Sequence, residues 1–596
     1  MEDDDKNKWR RFQRPQFDSK HVAKRARKAE TATIRHARKF ITKRLDNIQE
    51  VRRLVAFWLA GIAILILAVG AQLMWFQNSY TTQTGASDGT YAEATLGPIN
   101  TLNPLYASSS AEISASRLIF SSLFSYDTTG HLNGDLVKTM TTSADGTSYT
   151  VNLRSDVKWH DDATLTAKDV LFTVNLIKNP EARSSLRTQW QDVSLKLIND
   201  TTLEFKLPSV YAAFPHALTF PILPEHKLKD VAPSALRENS FSLSPIGSGP
   251  FEYRLAQTSE DHKIVNLSAV EHYYKGVPTL GRCELHAYSK QDNIISALRT
   301  GQVNAAADLS DVSVASSMKN YVVHYAPVND GVYAFFNTAQ PALKDVKVRQ
   351  ALQQSLDVGA IRKTLGGGKT PLDLPFVNGQ LKVDDTLPKA SALNIKNANS
   401  LLDQAGWKRE GTERKKDGQP LILSVVTTKN AQYQKIIDGM KKDWAPLGVK
   451  LQTTVVDTSD PTQDFTQNIL QPRAYDVLVY ELSIGADPDV YAFWHSSQVG
   501  QRGLNLSVYT SGVADDALTS ARARSEPELR DIKYKAFARQ WLNDVPAIGL
   551  YQSSLQYVES KQVTALEDEQ KLVSPYDRYS SILYWTAGRA SVYKTP

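Results

Sequence analysis

Two hydrophobic periods and one unbroken apolar run organise this chain. Residues 148–154 read S-Y-T-V-N-L-R: Tyr149, Val151 and Leu153 fall on one face of an extended strand, Thr150 and Asn152 on the other. Residues 201–207 repeat the pattern with Leu203, Phe205 and Leu207. Past Thr166 the spacing becomes helical: Val170, Val174 and Ile177 form a stripe, and Thr166 with Asp169 has the form of a capping box. A second helix is predicted from about Asp345 through Val348, Leu352, Ser355 and Leu356, and a third near Ala398. Strand and helix patterns interleave, which predicts an α/β fold with mixed sheets. No period of 20–50 residues recurs beyond residue 93, so a solenoid or propeller is not expected.

The unbroken run is LVAFWLAGIAILILAVGAQLMWF, residues 54–76, with no charge and one amide, Gln72. About 20 apolar residues span a bilayer core, so this run predicts one transmembrane helix. Trp58, Trp75 and Phe76 stand near its ends, where amphipathic rings favour headgroups. Signal peptides have apolar cores of about 7–15 residues after a short basic start. This run is longer, lies behind 53 residues and is followed by no nearby cysteine, so an uncleaved signal-anchor is expected. Residues 77–92 (QNSYTTQTGASDGTYA) are polar and read as a flexible linker, with a typical reach of about 20–24 Å.

Charge changes the picture through its placement. The formal net charge is +6, which by itself would suit a nucleic-acid partner. Residues 1–53 carry 17 of the 69 Lys+Arg and 8 of the 63 Asp+Glu, a net of +9. The remaining chain has 52 basic and 55 acidic residues, a net of −3, so no nucleic-acid partner is expected. A Lys/Arg excess beside an apolar span marks the cytoplasmic side. The predicted layout is a basic cytoplasmic tail at 1–53, helical in part, the span at 54–76, the linker at 77–92 and a large domain outside the cell membrane. At 596 residues with 42% apolar content the chain can bury a large core, and a single cysteine, Cys283, excludes a disulfide framework.

The sequence holds no Walker A loop and no H-E-x-x-H. Ser248 lies between glycines in PIGSGP, but the spacing is not an elbow's and the flanking prolines favour a turn. The run Trp159-His160-Asp161-Asp162 puts adjacent side chains in divergent directions, so it reads as a polar turn rather than a metal site. No enzyme, cofactor or metal is predicted. The 25 Tyr and 10 Trp suit a core, and also a cleft that accepts varied ligands.

About ten segments, in order from residue 94 to 558, resemble the family 5 extracellular solute-binding proteins, the oligopeptide- and dipeptide-binding components of ABC importers. They are TLNPL at 101–105; LIFSSLFSYD at 118–127 with Gly130 and Leu136; DGTSYTVNLR at 145–154; VKWHD at 157–161; and LTAKDVLF at 165–172. PIGSGPF at 245–251, YYKGVP at 273–278 and ALRTGQ at 297–302 follow. DVKVRQAL at 345–352 with Asp357, LLDQAGW at 401–407, YDV at 475–477 and Asp487-Pro488 complete the series.

The resemblance implies a two-lobed periplasmic-binding-protein-like (type II) fold with a hinge, closing on a buried ligand. Crossings near 327–331 and 550–555 would give a first lobe of 93–328 plus 555–596 and a second of 329–554. It also implies cleft-facing candidates: Tyr106, Ser109, Ser110 and Glu112 after the opening motif, Tyr333 and Asn337 on the strand that opens the second lobe, Glu481, Ser483, Asp487, Tyr491 and Trp494 around the Asp-Pro, and Asn505. Peptide binders of the family hold the ligand's amino group with an aspartate three residues before the Asp-Pro. Here that position is Ile484, which leaves Glu481 or Asp487 as the candidate anion, or a ligand without a free amine. The implied function is a membrane-anchored solute receptor serving ABC permease and ATPase subunits, with peptide as the leading ligand. A sugar or nickel complex as ligand, and a sensor signalling through the basic tail, remain the alternatives.

Overall fold

In the computed structural model, residues 31, 32, 35 and 48–593 are described, except 260–261, 308, 310, 368, 383, 385–386, 388, 459, 461 and 568–569. The basic tail, with the helix expected in it, therefore lies almost wholly outside the described residues. The chain divides into two units, residues 1–84 with 591–596, and residues 85–590. In the first, Ile48–Tyr80 is one helix, four residues longer at its C-terminal end than the apolar run. Its stretch Leu54–Trp75 has a mean hydropathy of 2.6 and none of it is buried, so by length and composition it can cross a membrane.

The second unit is built on one ten-stranded sheet. In chain order its strands are β1 (Thr90–Leu96), β2 (Phe251–Thr258), β3 (His262–Ala269), β4 (Arg282–Tyr288), β5 (Ala305–Ala306), β6 (Tyr321–Phe336), β7 (Ile422–Thr428), β8 (Lys450–Val456), β9 (Val477–Ser483) and β10 (Ala547–Ser560). Their spatial order is β8-β7-β9-β6-β10-β5-β1-β4-β3-β2. The pairings are mixed: β1 lies parallel to β4 and β5, and β7 parallel to β8 and β9, whereas β6 is antiparallel to β9 and β10. Residues 90–92, placed in the linker by their polar neighbours, open β1. Tyr91 is fully buried and meets the Trp585 ring edge-on at 5.1 Å, a partner nearly 500 residues away that no local pattern announces.

The body is two-lobed. One large core gathers buried side chains from Tyr91 to Val328 and again from Leu555 to Ala587. The other lobe has a core on each face of the sheet, divided by the two-residue strand period: Val332, Ala334 and Phe336 of β6 enter one, Tyr333 and Phe335 the other. Only β6 and β10 run long enough to serve both lobes. Their ladder shifts register between Pro327 and Gly331. Proline has no N–H to donate, so the ladder breaks there and the strand can bend.

Local expectations are met in the first lobe. Ser148–Leu153 buries Tyr149, Val151 and Leu153 and exposes the residues between them more, inside a four-stranded sheet. Thr166 caps Ala167–Lys178 through a reciprocal capping box with Asp169. A buried ion pair closes this lobe: the Arg578 guanidinium meets the Glu93 carboxylate, which also accepts from the hydroxyls of Tyr91 (2.5 Å) and Tyr579 (2.9 Å). A charge pair in such a place is tolerated because hydrogen bonds satisfy its remaining sites.

Candidate ligand-binding cleft

The lobes face each other across a cavity of about 600 Å³. Trp190, Tyr211, Phe214 and His216 line it from the first lobe, Ile484 to Asp487, Asp489 and Phe493 from the second. The first-lobe aromatics are held rigidly, with Phe214 packed against Tyr149 (4.9 Å), Phe205 (5.5 Å) and Trp190 (5.9 Å). Asp487 and Asp489 follow β9 on the loop closed by Pro488, which presents both carboxylates toward helices Gly512–Arg522 and Pro527–Asp544. Arg530 takes Asp487 bidentately, Nη1 to Oδ2 at 2.8 Å and Nη2 to Oδ1 at 2.5 Å. Arg522 donates from Nε to Asp489 Oδ2 at 3.0 Å. Burial pushes the Asp489 carboxyl above its ordinary range against the pull of Arg522, and raises the Tyr211 phenol to about 12.

The lobes also touch. The Ala212 N–H donates to the Arg522 carbonyl at 3.2 Å, and the Arg522 guanidinium lies between the Tyr211 ring (4.7 Å) and the Tyr491 ring (4.4 Å). His216 Nε2 stands 3.9 Å from Asp487 Oδ2 while its Nδ1 is 2.9 Å from the Tyr126 hydroxyl. Burial lowers the affinity of His216 for a proton, with Asp487 opposing that effect and Arg530 reinforcing it.

The two strands that pass between the lobes, β6 and β10, adjoin the cavity at Ile484. Asn329 N–H donates to the Val573 carbonyl (3.2 Å) and its own carbonyl accepts from Ile484 N–H (2.9 Å), while Gln552 Nε2 donates to the Val328 carbonyl (2.9 Å). Next to them Asp330 pairs with Ser483 across the ladder. Burial lifts the Asp330 carboxyl to about 7, with Glu481 and Asp577 adding repulsion and Ser483 offsetting part of it.

The structure separates the twelve sequence candidates. Asp487 lines the cavity, with Tyr491 beside it under Arg522; Glu481 and Ser483 are exposed next to Asp330; and the Ser110 hydroxyl is 3.4 Å from that of Tyr576. The rest of the expected cleft set is corrected. Glu112 is committed to the backbone, accepting from the N–H groups of Asn100 (2.8 Å), Thr101 (3.2 Å), Ser108 (2.9 Å) and Ser109 (3.1 Å), and Ser109 caps the same helix. Tyr106 is buried under the Arg237 guanidinium at 4.4 Å. Tyr333 and Trp494 pack together at 6.0 Å in the second-lobe core. Asn337 donates to the carbonyls of Arg473 and Tyr475, and Asn505 to those of His495 and Tyr509, so both amides staple loops. Asp487 as a free anion is corrected as well, because Arg530 already occupies both of its oxygens. Arg522, Arg530, Tyr211 and His216 escape sequence reasoning since they come from distant helices and loops.

Among known proteins, the oligopeptide-binding protein AppA of Bacillus subtilis is 26% identical over 475 residues, covering 78% of this chain and 86% of that protein. The solved structure of AppA from Bacillus subtilis in complex with a nonapeptide matches with a TM-score of 0.69 at 24% identity, over 85% of this chain and all of that one. NikZ from Campylobacter jejuni in complex with Ni(L-His) matches with a TM-score of 0.69 at 25% identity, over 84% of this chain and 99% of that one. Residues 131–503, more than half of the sequence, match the family described as Bacterial extracellular solute-binding proteins, family 5 Middle, and the chain belongs to that family.

Proposed function

We propose that this protein captures peptides between its lobes and presents them to the permease and ATPase subunits of an ABC importer, held at the cell membrane by the helix around 54–76 with its basic tail in the cytoplasm. The cavity of about 600 Å³ between the lobes carries this reading, since it lies within the size range of ligand sites and stands beside the two strand crossings about which closure can turn. We take the lobes as 93–328 plus 555–596 and 329–554. The cavity wall is aromatic, and two of its three carboxylates, Asp487 and Asp489, are paired with Arg530 and Arg522 of the same lobe. An ammonium group on the ligand therefore has Asp192 in the wall, and Glu481 and Asp330 beyond Ile484, as its candidate anions. No catalytic group enters this mechanism: ligand contacts both lobes only when they are closed, and so shifts the population toward the closed form. A shift from 1:99 to 99:1 needs about 5.5 kcal/mol of differential affinity. The AppA relative is named for oligopeptides and NikZ was solved with a nickel complex, so ligand identity is the decisive measurement. Mass spectrometry of small molecules released from the purified full-length protein is expected to show mixed short peptides. A single sugar or a metal complex would overturn the peptide assignment.

A further inference from the structure

Covalent connection restricts which side of the 85–590 unit can face lipid. If Leu54–Trp75 spans the bilayer, as proposed above, only residues 81–84 separate the helix end at Tyr80 from Gly85, the start of the unit. The five Cα steps from 80 to 85 reach about 18 Å at most. The surface around residues 85–89 is therefore held within reach of the headgroups, whatever the lobes do.

That surface has the chemistry of a membrane contact. Ala86 N–H donates to the Gly588 carbonyl (3.1 Å), and Gly588 N–H to the Gln562 carbonyl (2.8 Å). Beside them Arg299, Lys561 and Arg589 line a recess of about 680 Å³ in whose wall no carboxylate occurs among the described residues. Arg589 Nη2 donates to the Lys561 carbonyl at 2.6 Å, which ties the Arg589 guanidinium to the Lys561 backbone. Asp88 N–H donates to Thr279 O (2.8 Å), and Thr279 N–H to Leu583 O (2.9 Å). Flanking this pair are Val277 and Tyr584, which are 59% and 78% exposed; Tyr584 exceeds every other large apolar side chain described in the unit. Arg282 adds a further cation and Asp88 an acid, so the balance stays positive. Tyrosine rings favour the headgroup region, and cations near an anionic lipid surface each strengthen contact roughly fivefold.

We propose that this face docks the extracytoplasmic unit onto anionic lipid headgroups, with Tyr584 and Val277 as apolar contacts and Arg299, Lys561 and Arg589 as the charges. The anchor thereby sets the orientation of the receptor as well as its proximity to the membrane.

The test uses the full-length protein in lipid nanodiscs of phosphatidylcholine with phosphatidylglycerol and a nickel-chelating headgroup lipid. Spin labels go on Y584C, on V277C and, as control, on L393C, which is 54% exposed in the second lobe. Cys283, the only native cysteine, is buried and stays unlabelled. The expected result is nickel relaxation at 584 and 277 at least fivefold above that at 393, falling to the control level in an R299E/K561E/R589E background and in purely zwitterionic discs. Equal relaxation at all three sites, or relaxation indifferent to charge reversal, would overturn the docking while leaving the span intact. Failure of the protein to co-purify with discs would overturn the span and the docking together.

Discussion

At the scale of single residues, the cleft separates side chains that hold the fold from those left available. Glu112, Asn337 and Asn505 are polar residues near a cleft by alignment, yet each is consumed by backbone partners in its own lobe. Asp330 is the converse case: half-buried at the crossing, with one buried carboxylate oxygen lacking a hydrogen-bond partner. Its folded pKa is raised from 3.8 to about 7, so its contribution to stability is complete below about pH 4 and is lost as pH rises through 7. D330N, neutral at every pH, is expected to match the parent at about pH 3 and to be more stable by about 2–4 kcal/mol at pH 9. Urea titrations of both proteins across that range check this; parallel curves would show that Asp330 does not titrate in the window.

At the scale of elements, the family-like motifs turn out to be joints. The turn at 245–250 clamps the end of helix Ser110–Ile119: Gly249 N–H donates to Ile119 O (2.8 Å) and Ser121 Oγ to Ser248 O (2.9 Å). His160 holds the same turn, since its Nδ1 accepts from Gly247 N–H (3.2 Å) and its Nε2 lies 3.0 Å from the Gly249 carbonyl. The turn and the W-H-D-D run, read separately from sequence as structural, therefore form one joint. A Cβ on Gly247 would sit 1.9 Å from the Ile119 carbonyl oxygen, where the backbone cannot yield. G247A is expected to cost about 3 kcal/mol or more by urea unfolding, with the loss independent of ligand. A cost near zero would mean that the helix end is free to move away.

At the scale of the whole molecule, the ligand-free balance between open and closed rests on a few contacts between lobes, among them Tyr211 stacked on Arg522. Y211A removes that stack, worth about 1 kcal/mol, while the Ala212–Arg522 backbone bond can remain. Small-angle scattering of the ligand-free variant is expected to show a larger radius of gyration. Apparent ligand affinity should fall by up to about fivefold, because the competent closed state is less populated. An unchanged radius and affinity would show that this contact does not hold the lobes. The amino-acid sequence by itself determined what depends on near neighbours: the strand alternation at 148–153, the cap at Thr166, the apolar run of the span, and an ordered series of motifs that named the family. Tertiary structure alone decided which polar residues were free, because Arg530 meets Asp487 from 43 positions away and Arg578 meets Glu93 from 485. It also decided that Tyr91 belongs to a core and not to a linker. The physical reason is one of range: periodicity and capping are written within a few residues, whereas burial and charge compensation are settled by whichever distant segment the fold brings alongside.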